Sequence, residues 1–298
     1  MVRQYKIHTN LDGTDDKVWD VTNGKVRFYQ PSNLGLQSTN NIWQSNGIGV
    51  MGTRSITQPQ IEFKLETFGE SLEENYQLMK DFINDILNQK FVTLEYQTEI
   101  FQVYADLALA DVTKTEGYGK NGTFSEKITF DIITKWYTYE NLTFEKIQNG
   151  QVLSGKSKIY GGTAPGSYKY VEGTSYTYYG ESDIDRLSRW DIKDEIFSFM
   201  GILYPQLPKT PTGVRFLDDI GNEYTAIVFK TEQLQNYILI NTDVNDEIYQ
   251  GWNGTTPLNL FPVMDFERYR TRIIEKGQME LINLAKAEFK IKRKADFI

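Results

Sequence analysis

The chain of 298 residues has no cysteine and a single histidine, His8. The first absence removes disulfides, cysteine nucleophiles, thiolate zinc sites and iron–sulfur clusters together. The second removes any metal centre that needs two imidazoles, and leaves a hydroxyl-nucleophile enzyme one imidazole base at most. Basic residues are also outnumbered, 32 Lys and Arg against 40 Asp and Glu, for a net charge of −8. No overall positive field draws a phosphate backbone, so nucleic-acid binding is not expected. No segment approaches the roughly 18 apolar residues of a membrane helix, and Met1–Lys6 lacks the apolar run of a signal peptide. The expectation is a soluble protein made in a cytoplasm, without membrane insertion, for which a route out of the cell other than secretion stays open. The Asn-X-Thr triplets at Asn121, Asn141 and Asn253 carry meaning only in a secretory pathway.

What the chain does have is size and aromatic rings. Its length suits one large domain or two ordinary ones, and 40% hydrophobic residues suffice for a core without staples. Aromatic residues make up 14%. From Arg54 to Phe68, Ile61, Phe63 and Leu65 alternate with Glu62, Lys64 and Glu66, the period of a half-buried strand. The period then changes. Ser71-Leu72-Glu73-Glu74 is a capping box, and Leu72, Tyr76, Met79, Ile83 and Ile86 recur at helical spacing, predicting an amphipathic helix to about Asn88. Phe91–Tyr96, Phe101–Val112 and Thr123–Ile133 read as antiparallel strands. The first part therefore reads as strands with one helix, ending near Trp136-Tyr137.

After the prolines at 205, 208 and 211, Gly213–Leu217 and Tyr224–Lys230 flank a turn-rich connector and read as a hairpin. Tyr237–Asn241, Glu247–Gln250, Gly277–Leu284 and Phe289–Ile291 are further strands, with Asn253-Gly254 as a turn signal. Short strands at close spacing indicate a β-sandwich. The fold class is thus mainly β, all-β with one helix. The predicted division is residues 1–136, joined by a returning segment 286–298, and residues 137–285.

Between Tyr160 and Gly180 lie six of the 19 tyrosines (Tyr160, Tyr168, Tyr170, Tyr176, Tyr178 and Tyr179) and five of the 23 glycines. This is too polar and Gly-rich for a core strand pair and too aromatic for a plain linker. With Trp190 it reads as a projecting insertion around residues 150–190 whose rings dock a partner. The plainer reading is that the tyrosines cover the flank of a β domain, since aromatics favour strands anyway.

Motifs of chemistry do not hold up. Gly117-Tyr118-Gly119-Lys120-Asn121-Gly122 spells a dinucleotide fingerprint, but a strand pattern follows where a helix must open. No cofactor is expected. Asp243, Asn245 and Glu247 alternate like calcium ligands, yet Ile248 and Gly254 stand where an EF-hand needs Gly and Glu. The cluster Asp12, Asp15 and Asp16 fails likewise and reads as a surface turn, as His8 reads as a surface residue. Carboxylate pairs for a glycosidase are nominally available at Asp183 with Asp185, Asp191 with Glu195, and Asp218 with Asp219. Among 40 acids such pairs arise by chance.

Two stretches together resemble the distal tail proteins of siphophages, the Dit family, as found in lactococcal phages. In the first half the likeness lies in the order of Arg54-Ser55-Ile56, the capped helix from Ser71, Phe91–Tyr96, Tyr104-Ala105-Asp106-Leu107 and Ile128–Ile132 before Trp136. In the second it lies in Asn236–Asp243 and the Gly277-Gln278 step into the last sandwich strand. The resemblance implies a tail-tube-like N-terminal domain that forms a homo-hexameric ring, and a galectin-like C-terminal β-sandwich. It implies a virion location at the tail tip or baseplate, where the ring joins the tail tube protein to the tail-associated protein and carries receptor-binding proteins. No enzymatic residue is implied. The competing expectation is a carbohydrate-binding sandwich in which Trp190, Trp252 or tyrosines stack on cell-wall saccharide; a glycosidase is the third.

Overall fold

The computed structural model describes residues 3–13, 15–35, 37–45, 47–57, 60–114, 123–145, 147–148, 151–152, 157–160, 175–178, 186–244 and 246–295. It divides into two compact units, Met1–Thr138 with Ala295–Ile298, and Tyr139–Lys294.

The first unit contains β1 (Gln4–His8), β2 (Val18–Asp20), β3 (Val26–Ser32), β4 (Gln37–Ser45), β5 (Ile48–Thr57), β6 (Gln60–Thr67), the helix α1 (Leu72–Leu87), β7 (Val92–Gln97), β8 (Gln102–Thr113), β9 (Ser125–Ile132) and the start of β10 (Tyr137–Glu145). Antiparallel pairing runs β2–β1–β7–β8–β9–β6–β3. The sheet turns over on itself, so that Tyr5, Ile7 and Leu94 from one end share a core with Phe28, Phe63 and Phe130 from the other and with Phe82 and Ile86 of the helix. Rings carry the contact. Phe28 stacks on Phe63 at 4.6 Å and meets Phe82 edge-on at 5.8 Å, geometries that add about 0.5–1.5 kcal/mol each beyond area burial.

The helix begins at the expected residue. Ser71 Oγ accepts from the Glu74 amide at 3.2 Å, while the Glu74 carboxylate reaches past Ser71 to the Glu70 amide at 2.7 Å. Its buried face differs from the predicted stripe. Asn75, Phe82 and Ile86 are buried, whereas Leu72 and Tyr76 stand out in solvent at 48% and 60% exposure. The cause is Asn75, whose amide bonds Gly69 N–H, Gly69 C=O and Ser71 C=O. Those bonds fold the strand-to-helix turn inward and rotate the first turn of the helix, carrying its apolar residues away from the core.

The second unit contains the rest of β10, then β11 (Ile147–Gln148), β12 (Gln151–Val152), β13 (Ser157–Tyr160), β14 (Ser175–Tyr178), β15 (Arg186–Ile192), β16 (Ile196–Pro205), β17 (Thr212–Leu217), β18 (Glu223–Phe229), β19 (Tyr237–Asn241), β20 (Ile248–Trp252), β21 (Pro257–Asn259), β22 (Gly277–Ile282) and β23 (Leu284–Lys294). Two sheets, β10–β23–β16–β19–β20–β21 and β15–β22–β17–β18, face each other across one core. Phe199, Leu203, Ile240 and Phe289 come from the first, and Val214, Phe216, Ile227 and Leu281 from the second. This is a β-sandwich. At Gly201 a Cβ would lie 2.9 Å from both Ile240 and Phe289, so the missing side chain lets those two pack over the strand.

The end of the chain departs from expectation. Residues 286–294 do not leave the sandwich: β23 pairs with β16 from Leu284 to Arg293 and sends Ala287, Phe289 and Ile291 into the core. The Gly277 step therefore opens the penultimate strand of the sandwich, and β23 is the last. The chain returns to the first unit at Ala295, which donates its amide to Trp136 C=O at 2.9 Å. Among the described residues no helix is long and apolar enough to cross a membrane.

The register makes β23 a central strand. Truncation after Ala285 is expected to abolish the cooperative thermal transition of the second unit, followed by near-ultraviolet circular dichroism. A retained transition would show that the sandwich closes without that strand.

Candidate interaction surfaces

Side-chain alternation along β1 puts Tyr5 and Ile7 in the first core and Lys6 and His8 on the opposite face of the sheet. That second face is closed as well: His8, Thr93, Glu95 and Asp106 are all under 9% exposed. His8 is thus not the surface residue its polar surroundings suggested. Its Nδ1 lies 2.7 Å from Asp16 Oδ2 and its Nε2 2.8 Å from Glu95 Oε2, while Lys6 Nζ donates to Glu95 Oε1 at 2.8 Å. Asp16 also accepts from the Asn10 amide, so it ties a loop to the strand instead of sitting in a plain surface turn. Burial by itself would raise the Glu95 pKa, but hydrogen bonds from Lys6 and His8 outweigh it and hold the carboxyl below its ordinary value. Next to it, Asp106 Oδ1 accepts from Thr93 Oγ1 and from Tyr137 Oη, both at 2.8 Å. The group is a structural layer, with each described carboxylate committed to a neighbour.

Several other candidates for chemistry are committed too. Asp218 closes its own turn, accepting from the Asn222 and Ile220 amides, which lower its pKa. Asp219 pairs with exposed Lys276, and Asp191 accepts from Gln278. Asp243 takes Lys292 at 2.9 Å and Glu247 takes Arg272 at 2.9 Å, which uses the two described members of the calcium-like triplet. Asp183, Asp185, Asn245 and the glycine motif 117–122 lie outside the described residues.

Of the tyrosines expected to dock a partner, Tyr160 falls on β13 and Tyr176 and Tyr178 on β14, a parallel pair that sets Tyr160 opposite Tyr178. Their side chains, and Tyr168, Tyr170 and Tyr179 altogether, lie outside what is described. Trp190 sits on β15 opposite Met279 and packs half-buried against the sandwich core.

The aromatic row on the outer face of the larger sheet bears on the saccharide reading. Trp252 and Tyr237 are cross-strand partners, stacked 5.8 Å apart at an interplanar angle of 16°. Tyr204 packs against Tyr237, and Lys286 Nζ lies over the Tyr204 ring. Tyr237 and Trp252 each spend one face on the other, which halves the ring surface that a sugar could use. The geometry gives the saccharide reading no support.

Two surfaces in the first unit escaped the sequence reading. The ribbon β4–β5 pairs only with itself, and every described residue from Ser38 to Arg54 is exposed, including Ile42, Trp43, Ile48, Val50 and Met51 at 50–70%. Its turn signal was available: Asn46-Gly47 between Ser45 and Ile48 suits a two-residue hairpin. The second surface is aromatic. Tyr29 and Phe68 meet at 6.3 Å, and Tyr76 lies on Phe124 at 5.5 Å, with Leu72 on the same helix face one turn before Tyr76.

Two β-rich units, the first displaying apolar surface on an extended ribbon, are what a protein that buries surface against partners presents. Comparison with known proteins makes the class specific. The family model for the N-terminal domain of the distal tail protein matches residues 4–133, and that for the Dit C-terminal domain matches 135–298; the chain belongs to the distal tail protein (Dit) family. It is therefore a virion structural protein of a phage tail. Over the full length of both chains it is 93% identical to the distal tail protein of Lactococcus phage p2 and 91% identical to that of Lactococcus phage SK1. A chain of the phage p2 baseplate, solved in its activated conformation with calcium, is 93% identical over 100% of both chains, with a TM-score of 0.78. The Dit protein of SPP1 shares the fold at 10% identity, with a TM-score of 0.53 over 99% of this chain and 100% of that one.

The depressed Glu95 pKa fixes the sign of an acid effect. Its stabilisation is complete above the ordinary carboxyl value of 4.5 and is lost as the pH falls through the lower, folded-state value. Glu95→Gln is expected to cost on the order of 2 kcal/mol at pH 7 and to flatten the fall in melting temperature below that value. An acid limb as steep as in the unaltered chain would refute the assignment.

Proposed function

We propose that the chain is the hub of a siphophage tail tip or baseplate. Six copies close into a ring through the first domain. The ring joins the last tail tube protein to the tail-associated protein beneath it. The second domain, a galectin-like sandwich, carries receptor-binding protein through the stretch around residues 150–190, with Tyr160, Tyr168, Tyr170, Tyr176, Tyr178, Tyr179 and Trp190 as docking residues. Its work is mechanical and adsorptive, not enzymatic.

The observation that carries this reading is the 93% identity, over both full lengths, to a chain of the phage p2 baseplate. Likeness of that extent includes both domains and the Tyr-rich stretch, so the parts that would meet tube, neighbour and receptor-binding protein are all present. A ring closed head to tail needs two different surfaces on every copy, and the first unit has both an apolar ribbon and an aromatic patch. Interfaces favour aromatic residues, which is a use for the tyrosines between 160 and 180.

Native mass measurement of the purified chain is expected to give six copies, and one copy at all concentrations would overturn the ring. Deletion of residues 160–180 is expected to leave the ring intact and abolish pull-down of the receptor-binding protein. Retention of that partner at wild-type yield overturns the docking role.

A further inference from the structure

We propose that Asn253 is a site of spontaneous modification, at which the amide nitrogen of Gly254 displaces the side-chain amide and the asparagine becomes a mixture of aspartate and isoaspartate. An asparagine is open to this reaction when glycine follows it. The next backbone nitrogen must swing onto the side-chain carbon, and only glycine combines that freedom with the lack of a Cβ in the way. The chain has five such pairs, beginning at Asn23, Asn46, Asn121, Asn149 and Asn253. Asn46, Asn121 and Asn149 lie outside the described residues. The remaining two differ in what holds them.

Asn253 and Gly254 open the loop that joins Trp252 to its cross-strand partner Pro257, and residues 253–256 are all exposed. Gly254 stands at φ +95°, with nothing within 4 Å of where a Cβ would lie. Among the described residues neither its amide nor the Asn253 side chain makes a hydrogen bond. The attacking nitrogen and the carbon it attacks are both unconstrained.

Asn23 is exposed as well, but its pair is clamped by Asp20. The Gly24 amide donates to Asp20 C=O at 2.9 Å, and a Cβ on Gly24 would collide with that same oxygen. Asp20 Oδ1 accepts from the Thr22 and Asn23 amides at 3.0 and 2.9 Å, an Asx turn, and Oδ2 accepts from the Asn23 side-chain amide at 3.4 Å. Burial by itself would raise the Asp20 pKa, but the bonds from Asn23 and Thr22 outweigh it and lower it, so the clamp stays ionised at neutral pH. Here the nucleophile and the side chain it would attack are both engaged by one neighbour. Exposure is common to the two pairs, and the hydrogen bonding separates them.

The reaction needs water alone. The Gly254 nitrogen gives up its proton and bonds Asn253 Cγ, the bond from Cγ to the side-chain nitrogen breaks, and ammonia leaves with that proton. Water then opens the cyclic succinimide at either carbonyl. Opening at Cγ yields aspartate, and opening at the main-chain carbon yields isoaspartate, with the backbone rerouted through the side chain. Either product sets a new negative charge directly after Trp252, in the loop between the last two strands of the larger sheet.

The purified full chain is aged in warm, mildly alkaline heavy-oxygen water, digested, and read by peptide mass spectrometry. The expected result is one heavy oxygen at Asn253, divided between two separable products, with conversion at Asn23 on the order of tenfold slower, as a barrier raised by its hydrogen bonds requires. In urea, where neither loop persists, the two sites are expected to convert at similar rates. An unconverted Asn253 in the folded chain, or an Asn23 that converts as fast as Asn253 there, overturns the proposal. The same tenfold difference in urea overturns it too, because the folded geometry would then play no part.

Discussion

The first unit depends on one buried polar layer. Its central strand β7 is closed on both faces, with Val92, Leu94 and Tyr96 in an apolar core and Thr93 and Glu95 in a second, polar one. Burying a carboxylate costs several kcal/mol unless charge and hydrogen bonds offset the lost water. Lys6 and His8 do this for Glu95, Asp16 holds the far side of His8, and Thr93 and Tyr137 serve Asp106. With both faces satisfied, the sheet can turn over on its aromatic core and present β6 as a fixed spacer. At one end of that strand stands the ribbon and at the other the aromatic patch. The layer that looks most like chemistry is therefore part of what holds the sheet together.

The second unit applies a different economy. Its sandwich closes around rings and branched side chains from two sheets, with Gly201 omitting a side chain where Ile240 and Phe289 must meet. On the outer face, Trp252, Tyr237 and Tyr204 lie against one another, and Arg215 bridges to Glu280. These contacts stiffen the sheet.

A protein of this class needs surfaces in place of titrating side chains and thiols, which is consistent with one histidine and no cysteine among 298 residues. The one histidine went into the fold. Apolar surface such as the ribbon displays is a solubility burden on a monomer and suits a protein that works inside an assembly.

The sequence by itself determined the short-range features. The capping box at Ser71 starts the helix where its hydroxyl can accept an amide, alternation marks β6 and β9, and the turn at Asp218–Asn222 marks the β17–β18 hairpin. Each depends on residues a few positions apart, so local spacing suffices to specify it. Strands β1–β4 and β16 were among those that went unread, because their pattern is mixed or, as in β1, both faces are closed and no apolar–polar contrast remains. Only the tertiary structure decided that Asn75 replaces Leu72 and Tyr76 at the core, that His8 is buried between acids 8 and 87 residues away, and that β23 belongs to the sandwich. For β23 and for the Glu95 side of His8 the partner lies far along the chain, and for Asn75 it is the backbone of a nearby turn, which leaves no periodic signal. Periodicity says that a residue has a face, and only the packing of distant segments says what, if anything, covers it.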